Sequence, residues 1–239
     1  MIIDYERSEA AWSFEEVARD LITTSGSRTV CELGAGANPA VPRDLVDERG
    51  LELVLVDVSE EELAKAPDGY RKVVADASAE GFELPGSFDL VLSRTVAEHV
   101  ENAETFHTNV HRMLEDGGRA LHFFPTLYAL PFVVNRLLPE WAGGRLLSLI
   151  QSGREQEGRH GKFPAHYRWC RGPTRHQIRR FERIGFEVER YVGYFGHHYY
   201  DRIPPLQRLV DGSADLLVRH PLPWFTSYAQ VVLRKKASA

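Results

Sequence analysis

Short apolar runs alternate along the chain with stretches in which apolar residues recur every three or four positions. Short aliphatic runs bounded by Gly, Asp or Ser are typical of buried strands in parallel sheets. Recurrence every three or four positions is typical of amphipathic helices. The predicted strands are 29–33, 51–58, 70–75, 88–93 and 119–124, and the predicted helices among them are 41–49, 60–66 and 102–114. This alternation predicts an α/β fold with a doubly wound, mostly parallel sheet.

Further elements flank this core. Residues 11–24 predict a leading helix that ends at Gly26. A helix is predicted at 174–184, and two more strands are predicted at 186–195 and 227–234.

Two glycines one residue apart, Gly34 and Gly36, follow the first predicted strand. Because glycine has no Cβ, the backbone there can turn sharply and approach a ligand closely. The helix at 41–49 would point its free N–H groups and the positive end of its dipole at that ligand, which favours an anionic group such as a carboxylate. We therefore interpret the stretch as a cofactor loop, although a Gly-x-Gly motif also occurs in ordinary turns.

Acidic residues end the next two strands. Asp57 lies 21 positions after Gly36, the spacing at which nucleotide-binding α/β folds place a carboxylate that accepts hydrogen bonds from ribose hydroxyls. The carboxylate of Asp76 can accept a hydrogen bond from an adenine amino group, or it can cap the turn that follows. Open α/β sheets bind their ligands at this carboxyl edge of the strands.

Composition narrows the class of protein. The chain has 239 residues, of which 43% are hydrophobic and 26% charged, as in ordinary globular proteins. Its net charge of -5 argues against a nucleic-acid partner. Cys31 and Cys170 match no disulfide or zinc spacing and fit a reducing compartment. The acidic N-terminus is unlike a signal peptide and no apolar run has the length of a transmembrane helix, so we expect a cytoplasmic protein.

Several motifs between residues 30 and 124 occur together. They are Glu32-Leu33-Gly34-Ala35-Gly36, Asp57, Asp76, Phe88-Asp89-Leu90-Val91, Glu98-His99-Val100 and Met113-Leu114-Glu115-Asp116-Gly117-Gly118. In combination they resemble the class I S-adenosylmethionine-dependent methyltransferases, a Rossmann-like family. Nicotinamide dehydrogenases keep a third glycine where this chain has Pro39, which favours the methyltransferase interpretation.

The resemblance implies that S-adenosylmethionine is the methyl donor and that S-adenosylhomocysteine is the product. It also implies a seven-stranded sheet whose last strand runs antiparallel between the fifth and the sixth. In the implied donor site, Glu32 supports the glycine loop and the donor's amino group, and Arg94 lies near the sulfonium. Asp57 would bind the ribose and Asp76 the adenine. The implied donor-binding residues are Glu32, Gly34, Ala35, Gly36, Asp57, Val58, Asp76, Ala77, Ser93 and Arg94.

Two stretches fall outside this core, and we treat residues 1–239 as a single domain that contains both. The first insertion is about 126–173. Its apolar part, 127–150, is interpreted as a helical lid that shapes an acceptor pocket. Packing on the core, a homodimer contact, and a peripheral contact with a membrane or a lipid-linked acceptor are the alternatives. The second insertion, about 196–226, contains a predicted helix at 204–218.

Residues 154–183 are strongly basic, with nine Arg or Lys against three Glu and hence a local charge of +6. This asymmetry suggests a small-molecule or sugar-containing acceptor that carries a carboxylate or a phosphate. The candidate acceptor-binding residues are Tyr128, His166, Tyr167, Arg168 and Trp169.

The methyl group of the donor is already activated by its positively charged sulfur, so a general base matters only for a hydroxyl or protonated-amine acceptor. The candidate catalytic residues are His99, His197 and His198. No accompanying spacing predicts a metal site. The predicted function is methyl transfer by in-line displacement. The alternatives are a nicotinamide-dependent Rossmann oxidoreductase and a non-catalytic S-adenosylmethionine-binding interaction module.

Overall fold

A computed structural model describes residues 1–127, 164–198, 200 and 203–237. One sheet of eight strands organises these residues. The strands are β1 (Ile2–Arg7), β2 (Thr29–Leu33), β3 (Glu52–Asp57), β4 (Arg71–Val74), β5 (Phe88–Arg94), β6 (Leu114–Pro125), β7 (Phe186–Phe195) and β8 (Tyr228–Lys235).

The strand order across the sheet is β1-β7-β8-β6-β5-β2-β3-β4. Neighbouring strands are parallel except around β8, which runs antiparallel to both β6 and β7. The predicted fold class and the predicted place of the last strand are therefore confirmed. All seven parallel strands end at one rim of the sheet, and β8 begins there.

Helices cover both faces of the sheet. They are α1 (Phe14–Ser25), α2 (Arg43–Arg49), α3 (Glu60–Lys65), α4 (Ala103–Met113), α5 (Arg175–Ile184) and α6 (Pro204–Arg219). Short 3-10 helices lie at Ser8–Ser13 and Pro223–Phe225. The side chain of Asn102 caps α4 by accepting a hydrogen bond from Thr105 N at 3.1 Å, and Thr174 caps α5 through Gln177 N at 3.2 Å. Such caps satisfy amide groups that the helix itself leaves without partners.

Two buried clusters fill the space between the sheet and its helices. In β2, Cys31 and Leu33 belong to the cluster under α4 and α5, whereas Val30 belongs to the cluster under α1, α2 and α3. Successive strand residues point to opposite faces, so a strand covered on both sides must be apolar at nearly every position. This is why the parallel strands read as continuous apolar runs.

The prediction of seven strands was wrong, because β1 is an eighth. Its backbone pairs in parallel with β7, from Ile2 opposite Arg190 to Arg7 opposite Phe195. As an edge strand it has one unpaired side, and Ile2 and Ile3 are exposed at 58% and 39%. Its residues therefore show neither a buried apolar run nor a clean alternation, and only the pairing with β7 reveals the strand.

The predicted lid is largely outside the described residues, since 128–163, including Tyr128, are not described. The lid and the single-domain assignment therefore stay predictions. At the boundaries of this stretch, Leu127 N donates to Cys170 O at 3.1 Å. None of the helices within the described ranges combines the length and the hydropathy that a bilayer-spanning segment needs.

Two histidines lie completely inside the cluster under α4. The rings of His107 on α4 and His122 on β6 are 5.0 Å apart, and Ser93 Oγ lies 2.7 Å from His122 Nδ1. His107 Nδ1 and His122 Nε2 have no hydrogen-bond partner among the described residues. Burial lowers the pKa of His122 to about 3 and the pKa of His107 well below its usual value. Both imidazoles are therefore neutral in the folded protein at pH 7.

We expect the free energy of unfolding to decrease less steeply towards acid pH in His107→Phe than in the unsubstituted protein. Below pH 6.5 the imidazoles of His107 and His122 become protonated in the unfolded chain but stay neutral in the folded protein. Each such histidine then lowers the free energy of unfolding by about 1.4 kcal/mol per pH unit. Phenylalanine preserves the ring and removes one of these sites. Urea unfolding between pH 5 and pH 7 measures the slope, with His176→Phe, an exposed position, as the control. Equal slopes for His107→Phe and the unsubstituted protein would contradict the argument.

Candidate functional site

The loop after β2 turns through two left-handed glycines. Gly34 has φ +66° and Gly36 has φ +51°, a region that costs other residues about 1–2 kcal/mol. Gly34 N donates to Val56 O at 2.7 Å, which holds the turn against the end of β3. A Cβ at Gly34 would lie 2.1 Å from Val96 Cγ2, so the loop after β5 packs directly on this glycine.

Asp57, at the end of β3, ties the glycine loop in place. Its Oδ2 accepts a hydrogen bond from Gly36 N at 3.0 Å, and its Oδ1 accepts one from Ser59 N at 2.9 Å. A carboxylate offers about four acceptor positions, and the side chain is only partly buried. Asp57 therefore orients the loop and retains capacity to accept hydrogen bonds from a ligand.

Glu32 is buried beneath the same loop. Its two carboxylate oxygens lie 2.8 and 3.0 Å from Ala40 N, which donates to them. Burial raises the pKa of Glu32 to about 7, although the Ala40 amide and the charge of Arg94 act in the opposite direction. Glu32 therefore holds the segment that follows the glycine loop at Ala40.

Arg94 connects the glycine loop to the leading helix. One guanidinium nitrogen lies 2.8 Å from Glu15 Oε1 and another donates to Asn38 O at 3.2 Å. The guanidinium also lies 5.9 Å from the centre of the Phe14 ring. Glu15 was not singled out from the sequence, because an acid in the first turn of a helix is common for dipole reasons alone.

Four further residues that were predicted to bind the methyl donor differ in solvent exposure. Val58 is 51% exposed beside Asp57, whereas Ala35 and Ala77 are buried. Ser93 is completely buried, and its hydroxyl is hydrogen-bonded to His122 Nδ1. Its side chain therefore contacts the interior of the domain at the end of β5.

Asp76 caps the turn after β4. Its Oδ1 accepts hydrogen bonds from Ser78 N at 2.8 Å and from Ser78 Oγ at 2.7 Å. Asn109 of α4 holds the same turn by donating to Ala77 O at 3.0 Å and to Ala79 O at 2.9 Å. The sequence analysis missed Asn109, although a polar residue on the apolar face of α4 is a usable signal.

The predicted acceptor segment lies against the loop after β5. His166 N and Tyr167 N both donate to Glu98 O, at 2.7 and 2.9 Å. Tyr167 and Trp169 have φ +51° and +59°, and non-glycine residues in this region are strained and cluster at functional sites. The exposed Arg168 lies between them.

Trp169 joins this segment to the buried histidines. Its ring stacks on His107 with a centroid distance of 5.7 Å, and the guanidinium of Arg180 lies 5.3 Å from the ring centre. Arg171 donates to Tyr167 O at 3.0 Å and to Cys170 O at 2.9 Å. Two cationic side chains, those of Arg171 and Arg180, therefore contact this segment.

The three candidate catalytic histidines separate into two places. His99 follows β5, and its Nδ1 lies 3.2 Å from Pro164 O, beside the acceptor segment. His197 and His198 follow β7, which is four strand positions from β2, roughly 19 Å at the usual strand spacing. His197 packs on Tyr200 and His198 Nε2 lies 3.7 Å from Glu9 Oε1. The structure brings His99, and not the other pair, to the glycine-loop side of the rim.

No group of three or more metal-ligating side chains occurs in the part of the chain that the structure describes.

The residues predicted to bind the methyl donor lie at or just after the ends of β2, β3, β4 and β5, which are neighbours in the sheet. The candidate site is a rim of backbone amides, carboxylates and one arginine, bordered by the strained segment at 164–170.

Comparison with known proteins agrees with this geometry. Residues 31–122 match the family described as "Methyltransferase domain". The ubiquinone biosynthesis O-methyltransferase of Pseudomonas paraeruginosa is 29% identical over 101 residues, which cover 38% of this chain and 42% of that protein. The chain therefore spans less than half the length of this curated relative.

Solved structures show the same fold over nearly the whole chain. A putative sarcosine dimethylglycine methyltransferase from Galdieria sulphuraria has a TM-score of 0.57 at 14% identity and covers 95% of this chain and 87% of its own. Phosphoethanolamine N-methyltransferase 2 of Haemonchus contortus, solved with S-adenosylmethionine, has a TM-score of 0.55 at 16% identity, with coverages of 95% and 57%. Residues 31–122 therefore match a methyltransferase domain, and the fold is that of the S-adenosylmethionine-dependent methyltransferases, as the motifs predict.

The residues at the rim fit the donor of this class. A Cβ at Gly36 would meet nothing closer than Asp57 Oδ2 at 3.8 Å, so the loop presents open backbone there. Asp57 adds a carboxylate beside it. These are the features that a ribose and a charged amino-acid portion require.

We expect Gly34→Ala to cost more stability than Gly26→Ala. Gly26 has nearly the same φ, +68°, but a Cβ there would meet no atom within 4 Å. Both changes carry the left-handed strain of about 1–2 kcal/mol, and only Gly34→Ala adds the overlap with Val96, roughly 1–3 kcal/mol more. Urea unfolding gives both values. The double change Gly34→Ala, Val96→Ala should recover the excess, and equal costs for the two single changes would refute the packing argument.

We expect Glu32→Gln to remove a pH dependence of the free energy of unfolding. Its sign is opposite to that of the dependence caused by the buried histidines. The folded-state pKa of about 7 lies above the usual 4.5, so the folded protein binds an extra proton between these values. Stability falls by about 1.4 kcal/mol per pH unit as pH rises through that window. The difference in unfolding free energy between the unsubstituted protein and Glu32→Gln, from pH 5 to pH 8, isolates this contribution. The exposed Glu48→Gln serves as control, and a difference that stays constant across the window would contradict the assignment.

Proposed function

We propose that this protein transfers the methyl group of S-adenosylmethionine to a small-molecule or sugar-containing acceptor that carries negative charge. The observation that carries the proposal is the pairing of the left-handed glycine loop with Asp57, inside the stretch that matches the methyltransferase domain. The curated relative is named for O-methylation, which favours an oxygen acceptor.

The residues of the rim would hold the donor in complementary ways. The Gly34–Gly36 backbone would hold the methionine portion, Asp57 the ribose hydroxyls, and Asp76 the adenine amino group. When bound, S-adenosylmethionine supplies a methyl group on a positively charged sulfur, ready for in-line displacement. The contribution of the protein is to hold the reacting groups in line and to exclude water from them.

The acceptor side is supported by the segment at 164–170. Its hydrogen-bonded backbone, its own Arg168 and the nearby cations Arg171 and Arg180 suit a carboxylate or a phosphate. Desolvation and the neighbouring arginines lower the pKa of Arg180, and an anion placed there would relieve this repulsion. For a hydroxyl acceptor, His99 is the histidine that lies on this side of the rim and would take the proton.

We expect the protein to bind S-adenosylhomocysteine and not NADH in calorimetry. Asp57→Ala should weaken S-adenosylhomocysteine binding roughly 5- to 150-fold, the equivalent of about 1–3 kcal/mol for a lost acceptor at a partly buried site. Asp89→Ala is the matched control, because Asp89 also accepts hydrogen bonds from backbone amides, those of Arg28 and Thr29, but at the opposite end of the sheet.

Each alternative gives a distinct result in the same experiments. Preferential NADH binding would favour an oxidoreductase, and equal S-adenosylhomocysteine affinity in Asp57→Ala would remove the ribose assignment. To test the acceptor class, the protein would be incubated with methyl-labelled donor and a metabolite extract divided by anion exchange. Label is expected in the retained, anionic fraction. Label confined to the unretained fraction would contradict the predicted charge, and tight donor binding without labelling of any fraction would favour a non-catalytic module.

A further inference from the structure

The connection between β4 and β5, residues 75–87, carries Asp76, the acid proposed to bind adenine. These residues are described throughout and contain no helix, so their backbone lacks the regular hydrogen bonds that an intervening helix would supply. Two turn bonds fold the stretch on itself, from Ala79 N to Asp76 O at 3.1 Å and from Phe82 N to Ala79 O at 3.3 Å. The shape of the connection therefore also depends on its contacts with neighbouring elements.

Asn109 of α4 holds this connection from the interior of the domain. Its side chain is buried, and its Nδ2 donates to Ala77 O at 3.0 Å and to Ala79 O at 2.9 Å. Both partners are carbonyl oxygens, which only accept hydrogen bonds, so the NH2 group rather than the side-chain oxygen faces them. One buried side chain thereby fixes two peptide groups directly after Asp76.

Hydrogen bonds on both sides of Asp76 set the position of its carboxylate. Before it, Ala75 N donates to Asp57 O at 3.0 Å, which attaches the connection to the end of β3. After it, the Asn109 amide holds the next turn. Both bonds from Ser78 are accepted by Asp76 Oδ1, so Oδ2 retains capacity to accept a hydrogen bond from a ligand. The exposed carboxylate of Asp76 therefore extends from a backbone that is anchored before and after it.

We propose that Asn109 is a positioning residue for the recognition of adenine. Through the turn that it holds, Asn109 places the Asp76 carboxylate to accept from the amino group of the base, and so contributes to the choice of adenine over purines that carry an oxygen there. Because a hydrogen bond weakens steeply as its distance and angle depart from the optimum, a small displacement of this turn affects the amino group selectively. The inference rests on the proposed binding of S-adenosylmethionine and on the assignment of Asp76 to its base.

A role of Asn109 in stability alone predicts a different result from a role in positioning. Removal of a buried donor leaves its carbonyl partners unpaired and destabilises the fold, and a general loss of order weakens every ligand alike. Selectivity between two ligands that differ only at the amino group of the base isolates the positioning role. S-inosylhomocysteine is such a ligand, because an oxygen replaces the amino group of S-adenosylhomocysteine and presents an acceptor to Asp76 instead of a donor.

The test is calorimetric titration with both ligands. We expect the unsubstituted protein to prefer S-adenosylhomocysteine by roughly tenfold or more, the effect of one hydrogen bond to a charged acceptor. In Asn109→Leu, which keeps a side chain of similar size without a donor, this preference should fall about threefold or more. Gln207→Leu is the matched control and should keep the preference, because the buried Gln207 amide also donates twice, to His197 O at 2.8 Å and to Asp211 Oδ1 at 3.0 Å, but on α6.

A double-mutant cycle tests whether Asn109 acts through Asp76. Asp76→Ala should remove most of the preference, and the addition of Asn109→Leu to Asp76→Ala should lower it no further, because residues that act as one unit are not additive. A further fall as large as in the single variant would contradict positioning through Asp76. If Asn109→Leu does not fold, Asn109→Ser, which keeps a single shorter donor, replaces it with the same measurement.

The outcomes that overturn this inference are distinct from a failure of the proposed function. An unchanged preference in the Asn109 variant, with or without a lower melting temperature, would leave Asn109 a role in stability alone. Equal affinity of the unsubstituted protein for the two ligands would remove the assignment of Asp76 to adenine, and with it this inference, while donor binding stands. Absence of binding to either ligand would contradict the proposed function itself.

Discussion

The hydrogen bond from Gly36 N to Asp57 Oδ2 is the contact on which the donor side of the structure depends. It joins the ends of two neighbouring parallel strands through a turn that requires left-handed backbone. Val96 packs against Gly34 in this turn, and Glu32 accepts a hydrogen bond from Ala40 N just after it. The loop therefore keeps its shape through contacts with three different strands or their loops, and preorganisation of this kind lowers the entropy that ligand binding must overcome.

Buried ionisable side chains make the stability of this fold depend on pH. Glu32, His107 and His122 all lie in the interior, and in each case desolvation favours the neutral form. The carboxyl group and the imidazoles respond to pH in opposite directions, because neutrality means a bound proton for one and a lost proton for the others. Protonation of the unfolded chain at the two histidine positions lowers stability towards acid pH, whereas the contribution of Glu32 to stability is lost as pH rises to about 7.

The candidate site was only partly predictable from particular residues. The spacing from Gly36 to Asp57 predicted that the loop and the acid would be neighbours, since parallel strands end at one rim. The histidine candidates could not be sorted in this way. His99 and His197 each follow a strand, and only the strand order places one beside the glycine loop and the other four strands away. Which residues bind donor and acceptor stays a prediction.

The sequence by itself determined the alternation of strands and helices, the parallel sheet, the glycine loop and the resemblance to a methyltransferase domain, because these depend on local periodicity and short motifs. Tertiary structure alone decided that Ile2–Arg7 forms an eighth strand. It also decided that Arg94 pairs with Glu15 and that Leu209 and Leu216 of α6 are exposed. These features depend on pairing between residues far apart in the chain, and local periodicity carries no information about such partners.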